Sequence, residues 1–194
     1  MRSTHILVVL GLLSIPGASQ TSNRDMPFAQ RLLRETEAAA SSQQKNVLLI
    51  FSASWCVPCH VLQNFLSDPA IQPIFDRHFV RLVIVHGERL VDTLRQDTPG
   101  ADQLLDSLHD TDTSLPLIVM LSSSGQLIVD SVRPVYGRRN IHANIGFPES
   151  PIGIDWFLEM LRRAAPSLTS NESKTIQSWL VEHSSYQRSE PSSK

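Results

Sequence analysis

Four short apolar runs punctuate the chain: "NVLLIFSAS" (46–54), "VRLVIV" (80–85), "LPLIVML" (115–121) and "QLIVDSV" (126–132). Each is rich in branched residues, bounded by polar ones, and too short for a buried helix, so each predicts a β-strand. The first two have no polar alternation and read as strands covered on both faces. "SSSG" (122–125) between the last two predicts a turn, making them an antiparallel hairpin. Elsewhere the apolar period lengthens to that of a helix. Phe28, Leu32, Leu33, Thr36 and Ala39 follow a start at Asp25-Met26-Pro27, and Val61, Leu62, Phe65 and Leu66 follow Pro58. Helical spacing continues to Phe79 with a break at Asp68-Pro69.

Residues 86–115 are polar and aspartate-rich, with one predicted helix around Leu104, Leu105 and Leu108. After the fourth strand a loop rich in Arg, Asn and Gly runs to Ser150, which with Pro151 opens a helix. Its apolar face is Ile154, Phe157, Leu158, Leu161 and Ala165, and Pro166 ends it. Thr169 and Glu172 form a capping box for a last helix carrying Ile176, Trp179 and Leu180. The polar segment 184–194 reads as a flexible tail. A strand, crossover helix and second strand imply parallel pairing, so the expected fold is α/β. It has a mixed central sheet flanked by helices, with extra helices at both ends.

The first nineteen residues stand apart. Arg2 precedes the apolar run "ILVVLGLLSI" (6–15), Pro16-Gly17 ends it, and Gly17 and Ser19 set small residues before a cut at Gln20. This is the layout of a secretory signal peptide, and ten apolar residues are too few to span ~30 Å of hydrocarbon. We therefore expect a signal peptide over 1–19 and one domain over 20–183, with its core at about 45–165. No stable membrane insertion is expected after cleavage, and the protein is expected to be periplasmic or secreted. A formal charge of −2 over 194 residues offers no footprint for nucleic acid.

Export gives the cysteines their meaning. The chain has two, Cys56 and Cys59, in "SASWCVPCHVL" (52–62). A bridge across three positions removes little chain entropy, so chemistry explains the pair better than stapling. Read as C-x-x-C-H, the motif attaches a c-type haem; read as a dithiol opening a helix after a buried strand, it is a redox centre. Four apolar strands leave no helical haem envelope, and neither Met120 nor Met160 is an obvious second axial ligand. In the redox reading Cys56 lies at the first helical turn, where unpaired N–H groups and the helix dipole favour a thiolate. Cys59 follows one turn on, and Pro58 fits where no N–H is needed. The spacing predicts an exposed attacker at Cys56 and a covered resolver at Cys59.

The segment "FSASWCVPCHVLQNFLSDPAIQPIF" resembles the active site of the thioredoxin-like superfamily. It is most similar to the group containing the C-terminal domain of the disulfide-interchange protein DsbD. "SLPLIVMLSSSGQLI" (114–128) is similar to that superfamily's cis-proline strand and hairpin. The resemblance implies a thioredoxin fold, Cys56 as nucleophile, Cys59 as resolving thiol, and a redox-active disulfide between them. It also implies Trp55 as a surface aromatic and Pro116 as the cis-proline. Trp55, Pro58, Leu115 and Pro116 form the expected client-binding surface, Leu115 offering its backbone edge to an extended strand. One position departs from the pattern. Many thioredoxins bury an acid six residues before the first cysteine, where this chain has Ile50. Proton transfer from the resolving thiol then falls to water, His60 or Glu88.

The expected activity is thiol–disulfide exchange with protein or peptide substrates, with a redox partner protein supplying or accepting electrons and no bound cofactor. The alternative is a thioredoxin-fold module that binds clients or handles metal without turnover. His60, His78, His86 and His109 are the histidines to weigh as partners of the thiolates, and no spacing among them matches a closed zinc site. The aspartates at 97, 102, 106, 110 and 112 include "DTDTS" but lack the glycine and closing glutamate of a calcium loop, so they read as a solvated face. Arg133, Arg138 and Arg139 read as loop decoration, and Trp156 and Trp179 as core anchors.

Overall fold

The computed structural model describes residues 26–89, 96–108, 114–135 and 142–184. Its elements run α1 (Phe28–Gln43), β1 (Asn46–Ser52), α2 (Val57–Ser67), α3 (Gln72–His78), β2 (Phe79–Val85) and α4 (Ala101–Leu108). There follow β3 (Leu117–Leu121), β4 (Leu127–Asp130), β5 (Val132–Pro134), β6 (His142–Asn144), α5 (Pro151–Ala164) and α6 (Ser170–Glu182). The main sheet has the order β2-β1-β3-β4. β1 runs parallel to β2, from Asn46 opposite Phe79 to Ser52 opposite Val85, and antiparallel to β3, from Val47 opposite Leu121 to Phe51 opposite Leu117. The arrangement is the expected thioredoxin-like one.

The period of two in a strand sorts the core into two layers. On β1 and β3, Val47, Leu49, Phe51, Leu117, Val119 and Leu121 join the cluster under α1 and α4. Leu48, Ile50, Ile118 and Met120 join the one under α2, α3, α5 and α6. Both faces being covered, these strands need no polar alternation, which is why their sequences read as unbroken apolar runs. β2 departs from the expectation of full burial. It is an edge strand, and on the α2 face Arg81 and Val83 remain partly or largely exposed.

The expected fourth strand breaks in two at Ser131, a fully buried serine. The Ile118 N–H donates to its hydroxyl at 3.0 Å, and its own N–H donates to the Ile118 carbonyl at 2.8 Å. The chain then leaves the main sheet as β5, which pairs with β6 in a two-stranded ribbon inside the stretch that reads as loop in the sequence. That ribbon has no apolar alternation to announce it.

α6 closes the lower layer. Trp179 packs 4.9 Å from the Phe65 ring and donates its indole N–H to Asp68 at 2.9 Å, tying the last helix to the α2–α3 break. Trp156 is half-buried on α5 and donates to the Asp130 carbonyl. Ser184, placed by sequence at the head of the tail, is buried and caps α6 through its hydroxyl bond to the Val181 carbonyl. The expected signal peptide and residues 185–194 lie outside the described residues.

The Thr169–Glu172 capping box is present in full. The Glu172 carboxylate accepts from the Thr169 N–H and hydroxyl, both at 2.8 Å, and meets Arg77 at 2.7 Å. The backbone N–H of Thr169 is the main cause holding its pKa below the ordinary value, and burial opposes it. A depressed native pKa contributes stability above the unfolded value, lost as pH falls through the native one. Glu172→Gln should therefore lower stability by about 1 kcal/mol near neutral pH. The gap to wild type should close in acid, below the ordinary carboxylate range. Urea midpoints at neutral pH and at about pH 3 test this, and a gap that persists in acid would refute it.

Candidate active site

Cys56 is the N-cap of α2. Extended backbone there (φ −82°, ψ 98°) aims its side chain back at the helix end, and its sulfur accepts from the Cys59 N–H at 3.3 Å. Its carbonyl accepts the first helical bonds, from Cys59 at 3.1 Å and His60 at 3.3 Å. A sulfur thus fills the place a serine or aspartate oxygen usually takes. In the reduced protein the same N–H and the positive helix end would face a thiolate, which lowers a thiol pKa. Cys56 and Cys59 are joined by a disulfide, their Cα atoms 5.2 Å apart.

The expected contrast between an exposed and a covered cysteine is absent. Cys56 is 2% exposed and Cys59 1%. Ala53 clusters with the two cysteines and the partly buried Leu115 packs against that cluster, so the oxidised pair lies under apolar cover.

Around the pair, Trp55 is 42% exposed and Pro58 is exposed at the first turn of α2. The Trp55 indole N–H donates to the Gly87 carbonyl at 2.7 Å, and the Arg89 guanidinium lies 4.7 Å from its ring centroid. Ser54 is the hub of the turn. Its N–H and hydroxyl donate to the two oxygens of Glu88, each at 2.6 Å, and its carbonyl accepts from His60 Nε2 at 2.8 Å. The backbone N–H of Glu88 donates to Asp97 at 2.8 Å. The segment after β2 is thereby clamped to the turn before α2. His60 and Glu88, expected beside the dithiol, meet on one residue two positions before Cys56.

These groups line a cleft of about 390 Å³ with Ser52, Gln63 and Val83 on the α2 face of the sheet. Ile50 does not line it. It is 4% exposed, sits between Val83 and Ile118 in the sheet, and belongs to the core under α2.

On the other side of the pair the Leu115–Pro116 peptide bond is cis, and Pro116 is buried. Asn144, absent from the sequence-level site, donates its side-chain amide to the carbonyls of Ser114 at 2.6 Å and Pro116 at 3.1 Å. Nothing in the sequence distinguishes this asparagine from others in a polar stretch; only the ribbon places it.

Among the described residues no three His, Cys, Asp or Glu gather as a metal site. His86 pairs with Asp102 at 3.0 Å, His78 faces Ser167 and Glu172, and His60 is held by Ser54. His109, Asp110, Asp112, Arg138 and Arg139 lie outside the described residues.

Residues 29–123 match a protein-family model described as thioredoxin-like. The chain thus carries a thioredoxin-like domain, and with the C-x-x-C disulfide at the head of α2 it is a thiol–disulfide oxidoreductase of that class. Among solved structures it is similar to a disulphide isomerase from Xylella fastidiosa Temecula1, at 17% identity and TM-score 0.46 over 88% of this chain and 97% of that one. It is also similar to the oxidised DsbD C-terminal domain of Neisseria meningitidis, at 19% identity and TM-score 0.40 over 67% and 93% of the two chains. A DsbH oxidoreductase matches at 15% identity and TM-score 0.44, over 66% and 80%. These likenesses are too distant to carry function. No curated protein matches the chain.

Proposed function

We propose that the protein is exported and exchanges disulfides with protein or peptide clients through Cys56 and Cys59. The observation that carries this is the Cys56 sulfur acting as the N-cap of α2, where helix N–H groups stabilise a thiolate. In the reduced protein, the Cys56 thiolate attacks one sulfur of a client disulfide. An S–S bond forms to Cys56, and the other client sulfur leaves as a thiolate that takes up a proton. Cys59 then loses its proton and attacks the Cys56 sulfur, restoring the Cys56–Cys59 bond and releasing the second client thiol. Two electrons pass to the client, and a dithiol of a redox partner protein returns them. The reverse sequence oxidises a client dithiol. Trp55, Pro58 and the backbone of Leu115 form the rim a client meets, and the buried cis Pro116 shapes it from beneath. The Cys59 proton leaves through water in the cleft lined by His60 and Glu88, since position 50 offers no base.

Export is supported by the Arg2, apolar-run and Gly17-x-Ser19 layout. Among the described residues no helix is long and apolar enough to cross a membrane.

Three outcomes are expected. In the reduced protein Cys56 alkylates faster than Cys59 at neutral pH; Cys59→Ser accumulates mixed disulfides with clients and Cys56→Ser does not. Equal alkylation, a Soret band, or client binding without redox cycling would replace this reading. Ile50→Asp places a base under α2 and should speed resolution of the mixed disulfide, while lowering stability by about 1–3 kcal/mol. Unchanged resolution in a folded Ile50→Asp protein would mean that the cleft already suffices, and Glu88→Gln should then slow it. Mass spectrometry of the exported protein should find Gln20 at or near its N-terminus, and an intact 1–19 segment would contradict signal cleavage.

A further inference from the structure

The side of the dithiol opposite the Ser54 turn is held by one side chain from a distant part of the sequence. Asn144 ends β6, and its placement is fixed twice over. It pairs with Val132 across the ribbon, and the next residue, Ile145, donates its N–H to the carbonyl of buried Ser131 at 2.9 Å. Ser131 in turn exchanges hydrogen bonds with Ile118 of β3, so the ribbon is registered against the strand that begins just after Pro116. The orientation of the amide is fixed as well. Its oxygen accepts from the Gly146 N–H at 3.0 Å, so its nitrogen must face the Ser114 and Pro116 carbonyls. Both of those bonds are donated by Asn144; one holds the peptide group that carries the Leu115 N–H, the other the peptide group after Pro116, and the Leu115 carbonyl takes neither. The Leu115 side chain packs against the cluster of Ala53, Cys56 and Cys59.

We propose that Asn144 is a positioning residue. It holds the Ser114–Pro116 turn so that the Leu115 backbone forms a preformed edge for the extended main chain of a peptide or protein client beside the disulfide. The proposal rests on the exchange reaction above and on the client edge expected at Leu115, which reads an extended peptide backbone by main-chain hydrogen bonds whatever its side chains, and it adds the residue that holds that edge. Preorganising that edge spares the cost of ordering it when a client binds. A substrate without a peptide backbone gains nothing from it and depends on the sulfur chemistry alone. Asn144 therefore separates two classes of disulfide.

The test uses Asn144→Ala, which removes the clip. Asn144→Asp is its companion, since it keeps the acceptor for Gly146 but sets a carboxylate oxygen against two carbonyls. Each pre-reduced protein, freed of reductant, is mixed in single turnover with insulin or with dithionitrobenzoate, a small aromatic disulfide lacking a backbone. The reduction potential of the Cys56–Cys59 pair and the thermal midpoint are measured alongside. For insulin, the half-saturating concentration should rise on the order of tenfold in both variants, the loss of main-chain hydrogen bonds worth about 1.4 kcal/mol. The saturating rate, the reduction potential and the rate with dithionitrobenzoate should stay within about twofold of wild type, since only client docking has changed. Equal loss with both substrates, no change with insulin, or a shifted potential would overturn the proposal. Unfolding of both variants would assign Asn144 to stability and overturn it too. Wild-type protein inert toward both disulfides would instead sink the exchange reaction itself, and this proposal with it.

Discussion

A strand with helices on both faces and partners on both edges has no solvent to turn toward, and β1 is in that position. Val47 to Phe51 are all buried, odd residues in one layer and even residues in the other. Fully burying one such branched or aromatic side chain is worth about 1.5–3 kcal/mol, so a one-residue slip of β1, which would exchange its two faces, is strongly opposed. The site inherits that fixity. The chain leaves β1 at Ser52, turns through Ala53 to Trp55, and enters α2 at Cys56 within a few residues. The sulfur that caps the helix is as well placed as the strand that delivers it.

What β1 cannot position by itself is held by side chains from outside the motif. Ser54 is locked by both Glu88 oxygens after β2, and the Ser114–Pro116 turn by Asn144 at the end of β6. Bonds to a carboxylate are shorter and stronger than neutral ones, as the 2.6 Å Ser54–Glu88 contacts illustrate. The two clamps approach the disulfide from opposite sides and join segments thirty or so residues apart. Neither is part of W-C-x-x-C, yet the turns that flank the disulfide depend on both.

The legible part of this architecture is the part written in periodicity. The four apolar runs, the capping box at Thr169 and Glu172, and the helix opening at Ser150 and Pro151 are local patterns, and the structure contains each, with the fourth run divided between β4 and β5. Edge position is not local. "VRLVIV" looks as buried as "LPLIVML", and only the strand order leaves Val83 largely exposed. The ribbon β5–β6 escapes for a related reason: its residues alternate no apolar face, and its register comes from Ser131, whose partner is on β3. Within the site, Cys56, Cys59, Trp55 and Pro116 were legible because the motif and the proline strand carry them. Asn144 was not, because its role exists only where two distant turns meet. The covering of Cys56 also depends on a distant segment, through Leu115.

The same constraint on β1 bears on the chemistry at position 50. A carboxyl there would be buried between Val83 and Ile118 with core side chains on its own face, and burial without partners disfavours its charged form. Isoleucine keeps the lower layer apolar and continuous with Leu48, Ile118 and Met120. The acid nearest the active-site turn is instead Glu88, at the end of the edge strand, where solvent reaches the cleft and Ser54 supplies two donors. A carboxylate in that setting costs the core nothing. It also lies against the turn that precedes Cys56, so one side chain both steadies that turn and lines the polar cleft beside it. A charge at the rim rather than in the middle of a buried strand leaves the core apolar and still gives the turn a charged partner, two demands that a buried acid would set against each other.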